Sequence, residues 1–154
     1  MDLISAVEGM FVGLADQLGP SATLDMQKRR GVANEVWLVV ALHPRSQESA
    51  SIYVDVVSDE ITFGIGEYGC RLHLEIGERL SSAEALRQLR QLVSAVVGGG
   101  YSEVVKEIPL AGEHVEGVLI VEQKTIQLRC GVPFGDSLPG QSSVIHYQAY
   151  ERGV

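Results

Sequence analysis

Basic residues are scarce in this chain: twelve Lys and Arg stand against twenty Asp and Glu, leaving a net charge of -8. Binding along a nucleic-acid backbone depends on Lys and Arg clusters, so this balance argues against nucleic acid and for a basic protein as the main partner. Cysteine is scarcer still, with only Cys70 and Cys130, each inside an apolar alternating run. That setting predicts buried free thiols packing as small hydrophobes, because the sequence advertises no partner for a disulfide or a nucleophile. No apolar run reaches the roughly 18 residues of a membrane-spanning helix. Met1-Asp2 leads into an amphipathic segment without a basic region or cleavage pattern, so no signal peptide is expected and the chain reads as cytoplasmic.

Motifs for chemistry are equally thin. His43, His73, His114 and His146 form no His-x-x-x-His pair and none lies beside a cysteine at ligand spacing, so no metal or cofactor is expected. There is no Gly-x-Ser-x-Gly, internal repeat or low-complexity tract. Gly64-Ile65-Gly66-Glu67-Tyr68-Gly69 spells the dinucleotide fingerprint, but that motif needs a helix N-terminus directly afterwards to hold a pyrophosphate. Here the next residues, Cys70 to Leu74, alternate as a strand. The glycines are read instead as permitting a tight turn or a close approach of backbone.

What is present is a core large enough for one domain over residues 1–154. The apolar fraction of 45% with 21% charged residues fits a soluble globular chain, and a domain of about 150 residues buries roughly 70% of its extended-chain surface. The acids are clustered: thirteen lie between Glu48 and Glu122 against five bases, which is the whole excess of eight, while the flanks balance at seven against seven.

The stretch Ser51 to Ile76 holds three alternating runs: Ile52, Val54, Val56; then Ile61, Phe63, Ile65; then Cys70, Leu72, Leu74, Ile76. An apolar residue at every second position makes one greasy face on an extended strand, so an antiparallel meander is predicted, with turns at Ser58 to Glu60 and Glu67 to Gly69. Val36 to Leu42 reads as a strand covered on both faces. Asp2 to Leu18 reads as a helix with Leu3, Val7, Phe11 and Leu14 in its stripe and Gly19-Pro20 at its end. Ser81 to Val97 reads as a second helix, opened by the capping box of Ser81 and Glu84 and stopped by Gly98 to Gly100. Between the first helix and the Val36 strand, Ser21 to Asn34 reads as a polar connector carrying the basic run Lys28-Arg29-Arg30. Further strands are expected over Ser102 to Ile108, Gly117 to Glu122, Thr125 to Cys130 and Ser143 to Tyr150, with a long loop from Pro133 to Ser142. The fold expected is α+β: a curved, mainly antiparallel sheet of about eight strands with two packing helices, in the order α-β-β-β-β-α-β-β-β-β.

On the polar face of one meander strand, Arg71, His73 and Glu75 lie together, with Asp55 beside them if the register allows. His146 and Tyr150 share a face of the last expected strand. A histidine beside a carboxylate can act as a general base, yet no nucleophile or oxyanion device accompanies either pair, so catalysis is not expected.

The run Ile61 to Gly66, followed by Cys70 to Ile76 and the Ala83 to Gly99 helix, gives the chain an arrangement that resembles the small cytosolic immunity proteins of bacterial secreted-toxin systems. That resemblance implies a non-catalytic protein whose acidic surface covers the basic cleft of a toxin, gaining association rate and specificity from complementary charge. The partner-binding residues it suggests are Asp59 and Glu60 at one turn, Glu67 and Tyr68 at the next, and Glu113 and Glu116 after Pro109, with Tyr68 as aromatic anchor. Two alternatives stay open. A secretion chaperone would form a homodimer with exposed apolar grooves. A small-molecule binder or enzyme would hold its ligand between sheet and helix, beside His73 or His146.

Overall fold

The computed structural model describes residues 2–108, 112–130 and 141–151. Its chain order is α1 (Leu3–Leu18), β1 (Ala22–Arg30), β2 (Val36–Pro44), β3 (Ile52–Val57), β4 (Glu60–Ile65), β5 (Cys70–Glu75), α2 (Ser82–Val97), β6 (Tyr101–Ile108), β7 (Gly112–Val121), β8 (Lys124–Cys130) and β9 (Gln141–His146). The α+β class and the two helices are as expected, and every strand pairing is antiparallel. Among the described residues, nine strands form one open sheet in the order β1-β2-β3-β4-β5-β8-β7-β6-β9.

The ninth strand is β1, where a polar connector was expected. Ala22, Leu24 and Met26 alternate as half-buried side chains packed against the core, and the strand pairs with β2 over its whole length. Its second half is exposed and basic, which suits a free edge because charged side chains discourage further strand pairing. Lys28 reaches back to Glu8 of α1 at 2.7 Å. In β2 only Leu38, Val40 and Leu42 are buried, while Trp37, Val39 and Ala41 are half-exposed, so one face rather than both is covered. Residues Pro133 to Gly140 of the expected loop lie outside the described residues, and Gln141 and Ser142 open β9 instead. That strand ends at His146; Tyr150 lies beyond it and is buried, donating its hydroxyl to the Ala50 carbonyl at 2.5 Å.

The meander stands as the apolar alternation predicts. Val54 faces Phe63, and Val56 faces Ile61, all fully buried on the side that α1 covers with Val7 and Phe11. In α2 the Glu84 backbone N–H donates to Ser81 Oγ at 3.1 Å, satisfying a donor that the helix start would otherwise leave unpaired. Arg87 beside Glu84 holds that carboxyl down at about 2. The glycines after α2 do more than stop it. A side chain at Gly99 would stand 2.8 Å from the Ala149 backbone nitrogen. The bare turn thus lets the segment after β9 run against the helix end, where Tyr150 N–H donates to the Val97 carbonyl at 2.8 Å.

The same segment curls the sheet back on itself. Gln148 N–H donates to Glu48 O at 2.8 Å and Ser49 Oγ donates to Ala149 O at 3.1 Å, tying the end of the chain to the β2–β3 connection. Among the described residues, the two halves of the sheet meet where β5 lies beside β8, through one registered pair, Arg71 opposite Arg129. Directly beside it Cys70 and Cys130 form a disulfide. The expectation of free thiols is therefore wrong, although both sulfurs are buried as expected. Each cysteine occupies the apolar phase of its strand, and the order β5-β8 places the two opposite one another. Sixty residues of separation hid that neighbourhood from a reading of local pattern.

Candidate functional site

The glycine-rich hexapeptide is a hairpin turn. Gly66 and Gly69 both adopt positive φ, 72° and 64°, a conformation that glycine reaches without penalty. Between them Glu67 and Tyr68 project at the tip, both exposed. Glu113 at the start of β7 comes up against Tyr68, and its charge is the main cause pushing the phenol above its ordinary range, followed by partial burial and then Glu103. Glu67, Tyr68 and Glu113 thus form one acidic corner, and Arg71 Nε donates to the Gly69 carbonyl at its edge at 3.3 Å.

The other three sequence candidates are elsewhere. Asp59 and Glu60 lie at the far end of β4, about 17 Å along the strand at roughly 3.4 Å per residue. Glu60 there accepts from or pairs with His73 Nδ1 at 2.9 Å. Glu116 sits within β7 opposite Arg129, on the sheet face carrying Arg71. The register does put Asp55, Thr62 and His73 in one row, with Thr62 between the other two. His73 contacts Thr62 Oγ1 at 3.1 Å as well as Glu60, in an exposed surface group. His146 meets Ser102 Oγ at 2.9 Å. Among the described residues no group of three or more His, Cys, Asp or Glu could hold a metal ion.

Behind the acidic corner lies a group that local pattern did not single out. Glu103 of β6 is fully buried, and among the described residues neither carboxyl oxygen has an aligned hydrogen-bond donor. A Cβ on Gly66 would lie 2.6 Å from Glu103 Oε1, so the turn glycine is also what admits this carboxyl. Tyr101 and Tyr147 stack beside it, ring centroids 5.4 Å apart and planes 27° from parallel. Room for the Tyr101 hydroxyl comes from Gly117, where a Cβ would stand 3.0 Å from it and 3.1 Å from Cys70 Cβ. Burial pushes the Glu103 carboxyl up; the Tyr147 and Tyr101 hydroxyls oppose this, and the Glu67 charge adds to it. The two phenols are pushed above their ordinary range, first by burial and then by Glu103. One signal was present in the sequence: Glu103 falls in phase with the buried Tyr101 and Val105 on an alternating strand.

Two hollows flank the turn and share Tyr53, Gly66 and Glu67. The larger, about 550 Å³, lies between the β2–β3 connection and β9, with His43, Ile145 and Tyr147 in its walls. His43 meets Tyr53 edge-on, with ring centroids 5.7 Å apart. The smaller, about 370 Å³, opens over Gly64 on the sheet face, between Tyr53, Asp55, Thr62 and Arg71. Gly64 stands between Tyr53 and Arg71 in the cross-strand register, so its missing side chain leaves the depression. Together, the acidic corner and the aromatic walls suit recognition of a positively charged group. Comparison with protein-family models, with curated proteins and with solved structures finds no match for this chain.

Proposed function

We propose that this chain is a non-catalytic interaction protein that binds a basic protein partner through the corner formed by Glu67, Tyr68 and Glu113. The observation that carries this reading is the meeting of those three residues, from a turn and a distant strand. Like charges held together repel, and a partner's Lys or Arg side chains relieve that repulsion while speeding encounter. Tyr68, 39% exposed, supplies the amphipathic ring common at such contacts. In the form suggested by the resemblance, the partner is a toxin domain with a basic cleft and this chain is its immunity protein. Asp59, Glu60 and Glu116 stand apart from the corner and are assigned no part in it.

Capture from lysate of the source cells with rising salt tests this, comparing the wild type with Glu67→Lys/Glu113→Lys. A basic protein released by salt from the wild type and not retained by the variant supports the reading. Equal retention and an equal salt profile contradict it. The secretion-chaperone reading draws on a different observation: β9 is a sheet edge with Val144 53% and Ile145 38% exposed. It requires a homodimer, so a monomer in light scattering removes it.

A further inference from the structure

Resting on the corner as the partner-binding surface, we propose that the Cys70–Cys130 disulfide is its redox latch: oxidation of the two thiols closes Glu67 and Tyr68 onto Glu113, and reduction parts them. The two sides of the corner hang from the two sulfurs. Tyr68 precedes Cys70 by two residues. On the other side Cys130 lies opposite Val115 of β7, and Glu113 precedes Val115 by two residues. A short stretch of backbone on each side therefore links the corner to the bond.

Charge at the seam works against closure. The registered pair beside the bond sets Arg71 opposite Arg129, and like charges directly opposite one another destabilise a strand pair. Glu116 of β7 stands opposite Arg129, and Asp55 of β3 feels the charge of Arg71, but each offers its opposite charge from the side away from the seam. Neither draws β5 towards β8. At the tip, Glu67 and Glu113 carry the same sign and both bear on the Tyr68 hydroxyl. The sulfurs thus supply the attraction that the charges lack. Other ties between the halves do not use them: Gln148 N–H donates to Glu48 O and Ser49 Oγ to Ala149 O, so the fold outlasts an opened corner.

Closing the latch is a two-electron exchange with a disulfide-bearing oxidant. One cysteine thiolate attacks the oxidant's disulfide, forming a mixed disulfide and releasing one thiol. The second thiolate then attacks the cysteine sulfur of that bond and expels the other thiol, so the oxidant leaves as two thiols that carry the two cysteine protons. Once joined, both cysteines are buried, which keeps solution thiols from the bond until the seam opens. The corner is armed where disulfide oxidants act and idle where thiols are kept reduced.

The test compares by NMR the oxidised protein, the protein reduced with dithiothreitol, and Cys70→Ala/Cys130→Ala. NOEs between the Tyr68 ring and Glu113 report the corner, the buried methyls of Ile61 and Leu89 report the fold, and a capped pentalysine peptide is the binding probe. The oxidised protein should show the corner NOEs and bind the peptide. The reduced protein and the cysteine-free variant should keep the core signals, lose the NOEs and bind the peptide about tenfold more weakly. Adding Arg71→Glu to the cysteine-free chain makes the seam pair attractive and should restore the NOEs. Corner NOEs that persist without the bond overturn the proposal, as does their continued absence with Arg71→Glu. A core that melts together with the corner also overturns it, because the bond then holds the whole fold. An oxidised protein that ignores the peptide while its NOEs still vanish on reduction upholds the latch and removes the corner as binding surface.

Discussion

Replacing Glu103 by Gln should stabilise the protein, and by more as pH rises. Burial raises the folded-state proton affinity of this carboxyl above its ordinary value of 4.5. The folded state therefore holds the proton more tightly than the unfolded chain does. The contribution of the group to stability is fully present below about 4.5 and is lost as pH rises through its raised folded value. Above that value the fold carries a buried charge that faces the Tyr147 and Tyr101 hydroxyls without an aligned hydrogen bond. Leaving one buried polar group unsatisfied costs about 1–3 kcal/mol, more when charged, whereas a neutral amide of the same shape can donate towards the Tyr101 and Tyr147 oxygens. With roughly 2–4 °C of melting temperature per kcal/mol for a domain of this size, Glu103→Gln should melt about 5 °C higher than the wild type at pH 8. The gap should narrow towards pH 4. Thermal melts by circular dichroism across that range provide the assay. A variant that melts lower at pH 8, or a gap that does not change with pH, refutes the reasoning, because either result means that Glu103 is paired or hydrated in the native protein.

Two further substitutions probe the scaffold. The Cys70–Cys130 bridge closes a separation of 60 residues beside the registered pair of Arg71 and Arg129 that joins β5 to β8; on the loop-entropy model Cys70→Ser/Cys130→Ser should cost about 4 kcal/mol. Urea denaturation should show the midpoint fall, and amide exchange should accelerate first in β5 and β8; an unchanged midpoint would mean that the seam holds without the bridge. Ser81→Ala removes the acceptor for Glu84 N–H and should cost about 1 kcal/mol, read from the same denaturation curves, with Ser81→Asp restoring most of it.

Much of the fold was legible because its signals are local. The Ser81 cap, the glycine stop after Val97 and the two-residue periodicity from Ile52 to Leu74 each act within a few residues and are present in the structure, while the Glu84 carboxylate of the expected capping box pairs with Arg87 instead. At β1 the basic run Lys28 to Arg30 drew attention from the weaker alternation of Ala22, Leu24 and Met26; an edge strand covered on only one side needs no stronger pattern. The pairing of Cys70 with Cys130 depended on strand order, which local periodicity does not encode. For the site, the tip residues Glu67 and Tyr68 were legible as a polar turn, but their meeting with Glu113 and the gathering of Tyr101, Glu103 and Tyr147 behind Gly66 required the curl of the sheet. Only the misplaced acid in the apolar phase of β6 announced that cluster.

Hydrogen exchange of the protein alone and in complex with the captured basic partner tests the assigned interface most directly. The account predicts protection confined to residues 66–69 and 112–116, lost when salt dissociates the complex. Protection centred on Asp59 and Glu60, or on β9 without the turn, would contradict it.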